Sequence, residues 1–570
     1  MAVIEFHDPS GAIEVTQPHA PRVGALAGKR IGFVSNEQWQ AYRMLPLLKA
    51  LLEADFPGIE VLPIDAFPQG NAVIGSEETA ALVKASGVDA VIIGNAARGT
   101  CATACGRSAA RLEAQGIPTV TLTRADFVGV MTNAIAGLGL APDAAMVTFP
   151  IDLFLPGSDI SAVEARKQEF YDGLTRWRSA LGGDTAGEAP MVRVVGASVE
   201  DAFARANHLM LANRWGDGLP LWPPTRERVD WILGGGASPR GRKLGTFPPR
   251  GGVTTIESCA IALAMAGGRP EYLPVLVAVV EAFLDPRSGS EALQAASGSA
   301  FPVVIVNGPI GEQIRLNSGF GCLGPDPQRP AGASIGRALR LLQQNLGGAL
   351  PGIGTMANYG GLRYTNVVFA EDEANLPAGW PPHGTERHGF APGSSSISLA
   401  FANGATNIRR RGAKRETPEE DALQGMHRMA DFMRVPNMAG LAGYEHGTPG
   451  ILMIPGVVAQ TMAGLGWTKT SMREFLWEHS RIPAAHLRRA GGTAWIEIDT
   501  SKVARESLAL DPWPITASPD NFVLVVAGGG HPTNSYWLQG YSPGVVGRLI
   551  ELPASFERLL DEAERDLGAR

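Results

Sequence analysis

Residues 89–123 read DAVIIGNAARGTCATACGRSAARLEAQGIPTVTLT, and this stretch decides the fold of the first part of the chain. The β-branched run Val91-Ile92-Ile93 stops at Gly94, as a buried strand does. A short loop then carries Cys101 and Cys105. The run from Arg107 to Glu113 has helical character and closes at Gly116 and Pro118. Thr119 to Leu122 is a second strand. Strand, loop, helix and strand in this order make a unit of a parallel sheet. Ligands of such sheets sit at the carboxyl ends of the strands.

Outward from this unit the same alternation continues. Arg30 to Ser35 predicts a strand, Met44 to Ala54 a helix, Ile59 to Ile64 a strand, and Glu77 to Ser86 a helix. The expected fold is a doubly wound parallel α/β sheet over residues 1–185. Helical pattern over Val163 to Leu181 closes it. The small, polar segment Gly182 to Pro190 marks a boundary. A larger α/β or α+β domain is expected over residues 190–570. Its elements include helices at Val199 to Asn213, Val253 to Ala266, Glu271 to Ala282, Ser334 to Leu346 and near Glu419 to Met433. Strands are expected at Pro302 to Asn307, Gly450 to Ile454, Phe522 to Val526 and Val545 to Leu552. At 570 residues, one hydrophobic core does not serve the whole chain.

Composition excludes several classes. The net charge of −7 argues against nucleic-acid binding. No apolar stretch reaches membrane-spanning length, and MAVIEFHDPSG lacks the basic start and apolar core of a signal peptide. Four cysteines in this length do not make a disulfide scaffold. A cytoplasmic protein with a small-molecule substrate is expected, with a homo-oligomer possible, no cofactor and no membrane or nucleic-acid partner. Glycine and proline together supply 112 residues (70 + 42), which implies many tight turns.

The cysteine loop is the candidate catalytic site. Arg98, Thr100 and Arg107 surround the thiols with polar and cationic groups. A helix N-terminus beside them favours an anion and lowers a thiol's pKa. Cys101 is the expected nucleophile and Cys105 its resolving partner or a second acid. Arg98, Thr100 and Arg107 are expected to hold thiolate or substrate. A helix starting before Cys101 places both sulfurs on one face. One starting at Cys105 makes them flank the loop mouth. The alternative for both cysteines is burial as small apolar residues.

The second part adds weaker candidates. Asn317 and Cys322 lie in the Gly-rich NSGFGCLGPDP, which can present backbone N–H groups or simply turn. His531 follows the strand FVLVVA. These three are expected to complete the site, with at least one near Cys101. The irregular, apolar segment Trp215 to Pro224 is expected to help close the cleft. Cys259 is expected to be a core cysteine. His383, Glu386 and His388 cluster in PPHGTERHG, where a Pro/Gly loop does not fix metal geometry, so no metal is expected. The basic run Arg409 to Lys414 and Arg415 reads as a solvated loop.

The segment GTCATACGRSAARLEAQGIPTV resembles the selenocysteine region of the B component of glycine, sarcosine and betaine reductases. It also resembles the selenoproteins named for a U-G-S-C motif. In those families a selenocysteine or cysteine stands three residues before the position matching Cys101, and Arg98 occupies that place here. The resemblance implies thiol redox chemistry on a small metabolite. The arginine instead favours covalent, non-redox chemistry by Cys101, as in a lyase, hydrolase or cyclase. A non-catalytic binding subunit is the third alternative. Segments RWGDGLP, PPTRERV, PEYLPV and VIVNGP resemble a large bacterial family that accompanies the U-G-S-C proteins and carries no assigned activity.

Overall fold

A computed structural model describes the chain except residues 12–14, 72, 181–190, 362–364, 410–416, 435–446, 490–505, 507–508, 531–533 and 569–570. The expected boundary segment therefore lies outside the described residues, as do His531 and all of the basic run but Arg409.

The chain opens with a strand, β1 (Ala2–His7). Five parallel strands follow: β2 (Arg30–Ser35), β3 (Glu60–Val61), β4 (Ala90–Ala96), β5 (Thr119–Arg124) and β6 (Met146–Phe149). Their order in the sheet is β3-β2-β4-β5-β6. Helices α1 (Ala41–Asp55), α2 (Glu77–Ala85), α3 (Gly99–Ala114) and α4 (Val128–Ala136) connect them. Alternation along the strands serves both faces. Ile31, Phe33 and Ile92 join the core under α1, while Val34, Val91 and Ile93 join the core under α2, α3 and α4. This is a doubly wound sheet, and its strand order reverses between β2 and β4.

Strand β1 pairs antiparallel with β7 (Met191–Gly196), and Phe6 enters the core of the later part of the chain. The first residues thus pack with the second body. A short ribbon of β8 (Lys243–Phe247) and β9 (Gly252–Thr255) comes next. Strand β9 takes residues that periodicity assigns to the start of a helix. That helix starts instead at Ile256, where Thr255 and Ser258 form a capping box.

The second body holds a seven-stranded mixed sheet. Its strands are β10 (Phe301–Asn307), β11 (Val367–Ala370), β12 (Ser396–Ile408), β13 (Thr448–Ile454), β14 (Val523–Val526), β15 (Ser535–Ser542) and β16 (Val546–Leu549). The order is β11-β10-β12-β15-β13-β14, with β16 also on β12. The sheet curls. At one end the N–H of Asp372, just beyond edge strand β11, bonds Val526 O at the tip of edge strand β14 (2.7 Å). One face of the curl gathers Val303, Ile305, Phe369, Met453, Val525 and Leu538. The other face divides between two helical layers, with Val304, Val368 and Phe401 in one and Leu452, Leu524 and Trp537 in the other.

The two bodies touch at the start of α3. A Cβ on Gly99 would overlap the Ala295 carbonyl oxygen of the second body, so only glycine allows this approach. Ala295 is itself buried among the α3 and α4 side chains. No helix among the described residues is long and apolar enough to cross a membrane.

Candidate functional site

Helix α3 starts at Gly99, so Cys101 lies in its first turn and Cys105 one turn further on. Both side chains are therefore on one face. That face looks into the crevice between the ends of β2 and β4, where the strand order reverses. The crevice is polar. Asn36, just past β2, donates through Nδ2 to Asn95 O (2.9 Å) and to Asn71 Oδ1 (3.1 Å). Asn95 N donates back to Asn36 Oδ1 (2.9 Å). Asn71 Nδ2 lies 3.3 Å from the Cys101 sulfur, and Asn36 Nδ2 lies 4.0 Å from that of Cys105. Asn95 Oδ1 is buried and has no hydrogen-bond partner among the described residues.

The loop after β2 is strained. Glu37, Trp39 and Gln40 all adopt left-handed backbone, with φ of 56°, 51° and 69°. Such residues cost about 1–3 kcal/mol each and persist where surrounding contacts over-determine them. Here Ser35 Oγ donates to Glu37 Oε1 (2.7 Å), Asn95 Nδ2 donates to Trp39 O (2.7 Å), and Gln40 donates to Leu155 O. The Trp39 side chain from this loop reaches the Cys101 sulfur. The Arg98 guanidinium rests 5.5 Å from the centre of its ring.

Opposing effects set the state of Cys101. Burial pushes its thiol up, against Asn71, the Arg98 charge, Thr100 and Trp39, which all favour the thiolate. The expectation of a lowered pKa is thus corrected. Cys101 is only 2% exposed, and desolvation outweighs the cationic loop. Cys105 is pushed up further, by complete burial and then by its neighbour Cys101. It lies in the core under α3, as the apolar reading of this residue expects.

Arg107 does not reach the thiols. It pairs with Glu291 of the second body, and burial lowers it to about 10. Its position on α3, two residues after Cys105, turns it to another side of the helix. Thr100 acts at the Cys101 sulfur. Asn317 makes a local turn: its Nδ2 donates to Phe320 O (2.8 Å) and Asp326 Oδ2 (3.0 Å), and its Oδ1 accepts from Gly319 N. Cys322 is buried against the curled sheet face. Asn317 follows β10, whereas the Cys101 helix abuts residues that precede β10. The seven residues of that strand separate the two by roughly 20 Å. Asn317 therefore sits at the far end of the sheet from Cys101. His531 lies outside the described residues.

Other candidates also resolve into structure. Cys259 is fully buried in its helix. The Trp215 to Pro224 loop is fastened by Asp217 to Arg337 and by Gln344 to Gly216 O, on the helix Ala331–Asn345. His383, Glu386 and His388 share a short helix, His383–His388, instead of a loop. Among the described residues, no group of three or more His, Cys, Asp or Glu side chains is placed to hold a metal.

One group was not found from sequence. Tyr541, near the end of β15 in the second body, feels the Arg98 charge. Its hydroxyl lies 2.5 Å from where a Cβ on Gly298 would be, in the same segment as Ala295. Asn36, Trp39, Asn71 and Asn95 were also missed. The polar cluster Asn36-Glu37-Gln38-Trp39-Gln40 directly after the first strand was the available signal.

Residues 5–185 match the model of the UGSC family. No curated protein and no solved structure matches the chain.

Proposed function

We propose that this protein is a thiol-dependent enzyme: the Cys101 thiol gives up its proton to solvent, its sulfur forms a C–S bond to an electrophilic carbon of a small anionic metabolite, and the electron pair of the bond broken at that carbon departs with the leaving group. One observation carries the reading: Asn71, Thr100, Trp39 and Arg98 all act to stabilise a thiolate at Cys101, in the crevice where the strand order reverses. The thiol rests neutral because it is dry. The same dryness strengthens every donor once negative charge develops on sulfur. Arg98 has no carboxylate partner among the described residues, and a guanidinium suits a substrate carboxylate or phosphate.

Non-redox covalent chemistry fits best. A disulfide needs Cβ atoms about 3.5–4.5 Å apart, while helical neighbours at this spacing hold theirs at about 5–6 Å. Oxidation of the pair would have to unwind the first turn of α3. Arg98 at the place of the reductases' selenocysteine points the same way. A redox reading is favoured by one fact, that the two sulfurs interact and face the same Asn36–Asn71 pair.

Intact-mass spectrometry tests the choice. After hydrogen peroxide, non-redox chemistry predicts oxygen addition at Cys101. A small α-halo carboxylate should add once, at the same residue. Loss of two hydrogens, with a mapped Cys101–Cys105 link that reductant reverses, would replace this reading with the redox one.

A further inference from the structure

We propose that Tyr541 and Arg98 form a two-body anion clamp over Cys101, so that the thiol site is completed by the second body. The inference rests on the Cys101 reading and names a residue and a ligand class for it. Arg98 sits at the N-cap of α3, exposed, with its guanidinium over Trp39 and its charge on the Cys101 sulfur. The same charge acts on the Tyr541 phenol. Tyr541 lies against the same short segment that touches the start of α3. Gly99 packs on Ala295, and the Tyr541 hydroxyl packs on Gly298 three residues later.

Neither group is used up by the fold. Arg98 has no ion pair and Tyr541 no side-chain hydrogen bond among the described residues. Elsewhere at the contact between bodies, Arg107 is matched by Glu291. A guanidinium and a phenol hydroxyl on the two sides of this contact, neither with an acceptor among the described residues, are donors available to an oxygen anion. The thiol beside them defines the ligand's second end. It is a short molecule with a carboxylate or similar oxyanion one or two bonds from an electrophilic carbon. Tyr541 acts in binding and orientation, and the attack belongs to Cys101.

Two probes test the clamp on the full-length protein. The first compares alkylation of Cys101 by iodoacetate, which carries the carboxylate, and by neutral iodoacetamide, with free cysteine as reference. The clamp predicts an iodoacetate preference of about tenfold over the reference, abolished in Arg98→Gln and reduced about three- to tenfold in Tyr541→Phe, with iodoacetamide rates unchanged. The second is calorimetric titration with malonate, which involves no thiol chemistry. Binding should weaken by similar factors in Arg98→Gln and Tyr541→Phe and persist in Cys101→Ala. Near-UV dichroism identical to wild type confirms that each variant is folded. Wild-type preference and malonate affinity in Tyr541→Phe overturn the clamp and leave the Cys101 reading intact. Malonate binding that needs both residues, in a protein whose Cys101 resists both alkylators, upholds the clamp and rejects the nucleophile.

Discussion

Two strand-end crevices in this molecule occupy equivalent places and are built in opposite ways. One lies at the ends of β2 and β4 in the first sheet. The other lies at the ends of β10, β11 and β14 in the second. In the second crevice the Glu371 carboxylate is buried and fully engaged. It accepts from His383 N (2.6 Å), Asn307 Nδ2 (2.7 Å) and Val526 N (3.3 Å), and faces Lys469 Nζ at 3.4 Å. Lys469 is also buried, donates to Pro381 O (2.7 Å) and forms an ion pair with Glu386 Oε2 at 3.5 Å. This arrangement pins the curl of the sheet where its edge strands meet. Among the described residues, the first crevice has strained backbone, a buried oxygen without a partner, a desolvated thiol and an unpaired guanidinium. Position at a strand end offers a site to both. Buried polar atoms without a hydrogen-bond partner among the described residues occur in both, Asn95 Oδ1 in the first and His383 Nε2 and Glu386 Oε2 in the second. What separates them is charge: the second matches its buried carboxylates with Lys469, whereas Arg98 in the first has no carboxylate partner among the described residues.

The contrast predicts where mutation hurts stability. Lys469→Met leaves the Glu371 carboxylate buried without its cation. A loss of about 3–5 kcal/mol should appear in denaturant unfolding. Cys101→Ser should leave the same midpoint nearly unmoved. Equal losses in the two variants would erase the distinction.

Gly99→Ala comes next. Its methyl would enter the Ala295 carbonyl and must push the bodies apart at the thiol site. Overpacking of this kind costs about 1–3 kcal/mol. The same denaturation assay should show that loss, together with faster labelling of Cys101. Unaltered labelling would mean that the second body does not cover the thiol.

The third expectation concerns pH. Because burial raises the Cys101 thiol above its ordinary range, only a small thiolate fraction exists near neutrality. The iodoacetamide rate should climb about tenfold per pH unit from 7 to 9 without levelling, since thiolate is the reactive form. A plateau below pH 8 would show a depressed pKa and contradict the weight given to desolvation.

The smallest effect belongs to the second crevice. His388 is lowered from 6.5 to about 4, first by burial and then by Arg387. The unfolded chain takes up this proton below pH 6.5 and the folded one only near 4. Stability therefore falls as pH drops through that window. His388→Gln should flatten the fall in unfolding midpoints measured between pH 7 and 4, and an unchanged slope would remove His388 as its cause.

The first sheet was legible because its strands are continuous apolar runs joined by local crossovers. Arg30 to Ser35 is a strand with those bounds in the structure. Cys101 stood out for the same reason, at the end of a readable strand. The second sheet was less legible. The strand β12, SISLAFANGATNI, contains Asn403, Gly404 and Asn407, residues that read as turn. It forms because β10, β15 and β16 all pair with it, a nonlocal fact. Asn36 and Asn71 come from separate crossover loops, and Tyr541 comes from the far end of the chain. Only the assembled fold brings Asn71 to the Cys101 sulfur, Asn36 to that of Cys105 and Tyr541 within range of the Arg98 charge. Arg107 misled because charge near a thiol in sequence says nothing about which side of α3 carries it.

The most direct test is a time course of iodoacetamide labelling on the native protein, mapped to all four cysteines. Cys101 should be modified first, at a rate at least about tenfold above Cys105 and Cys259. Labelling of Cys259 as fast as Cys101 would contradict this, because the Cys259 thiol is fully buried in a helical core and burial pushes it far up, with none of the donors that favour a thiolate at Cys101.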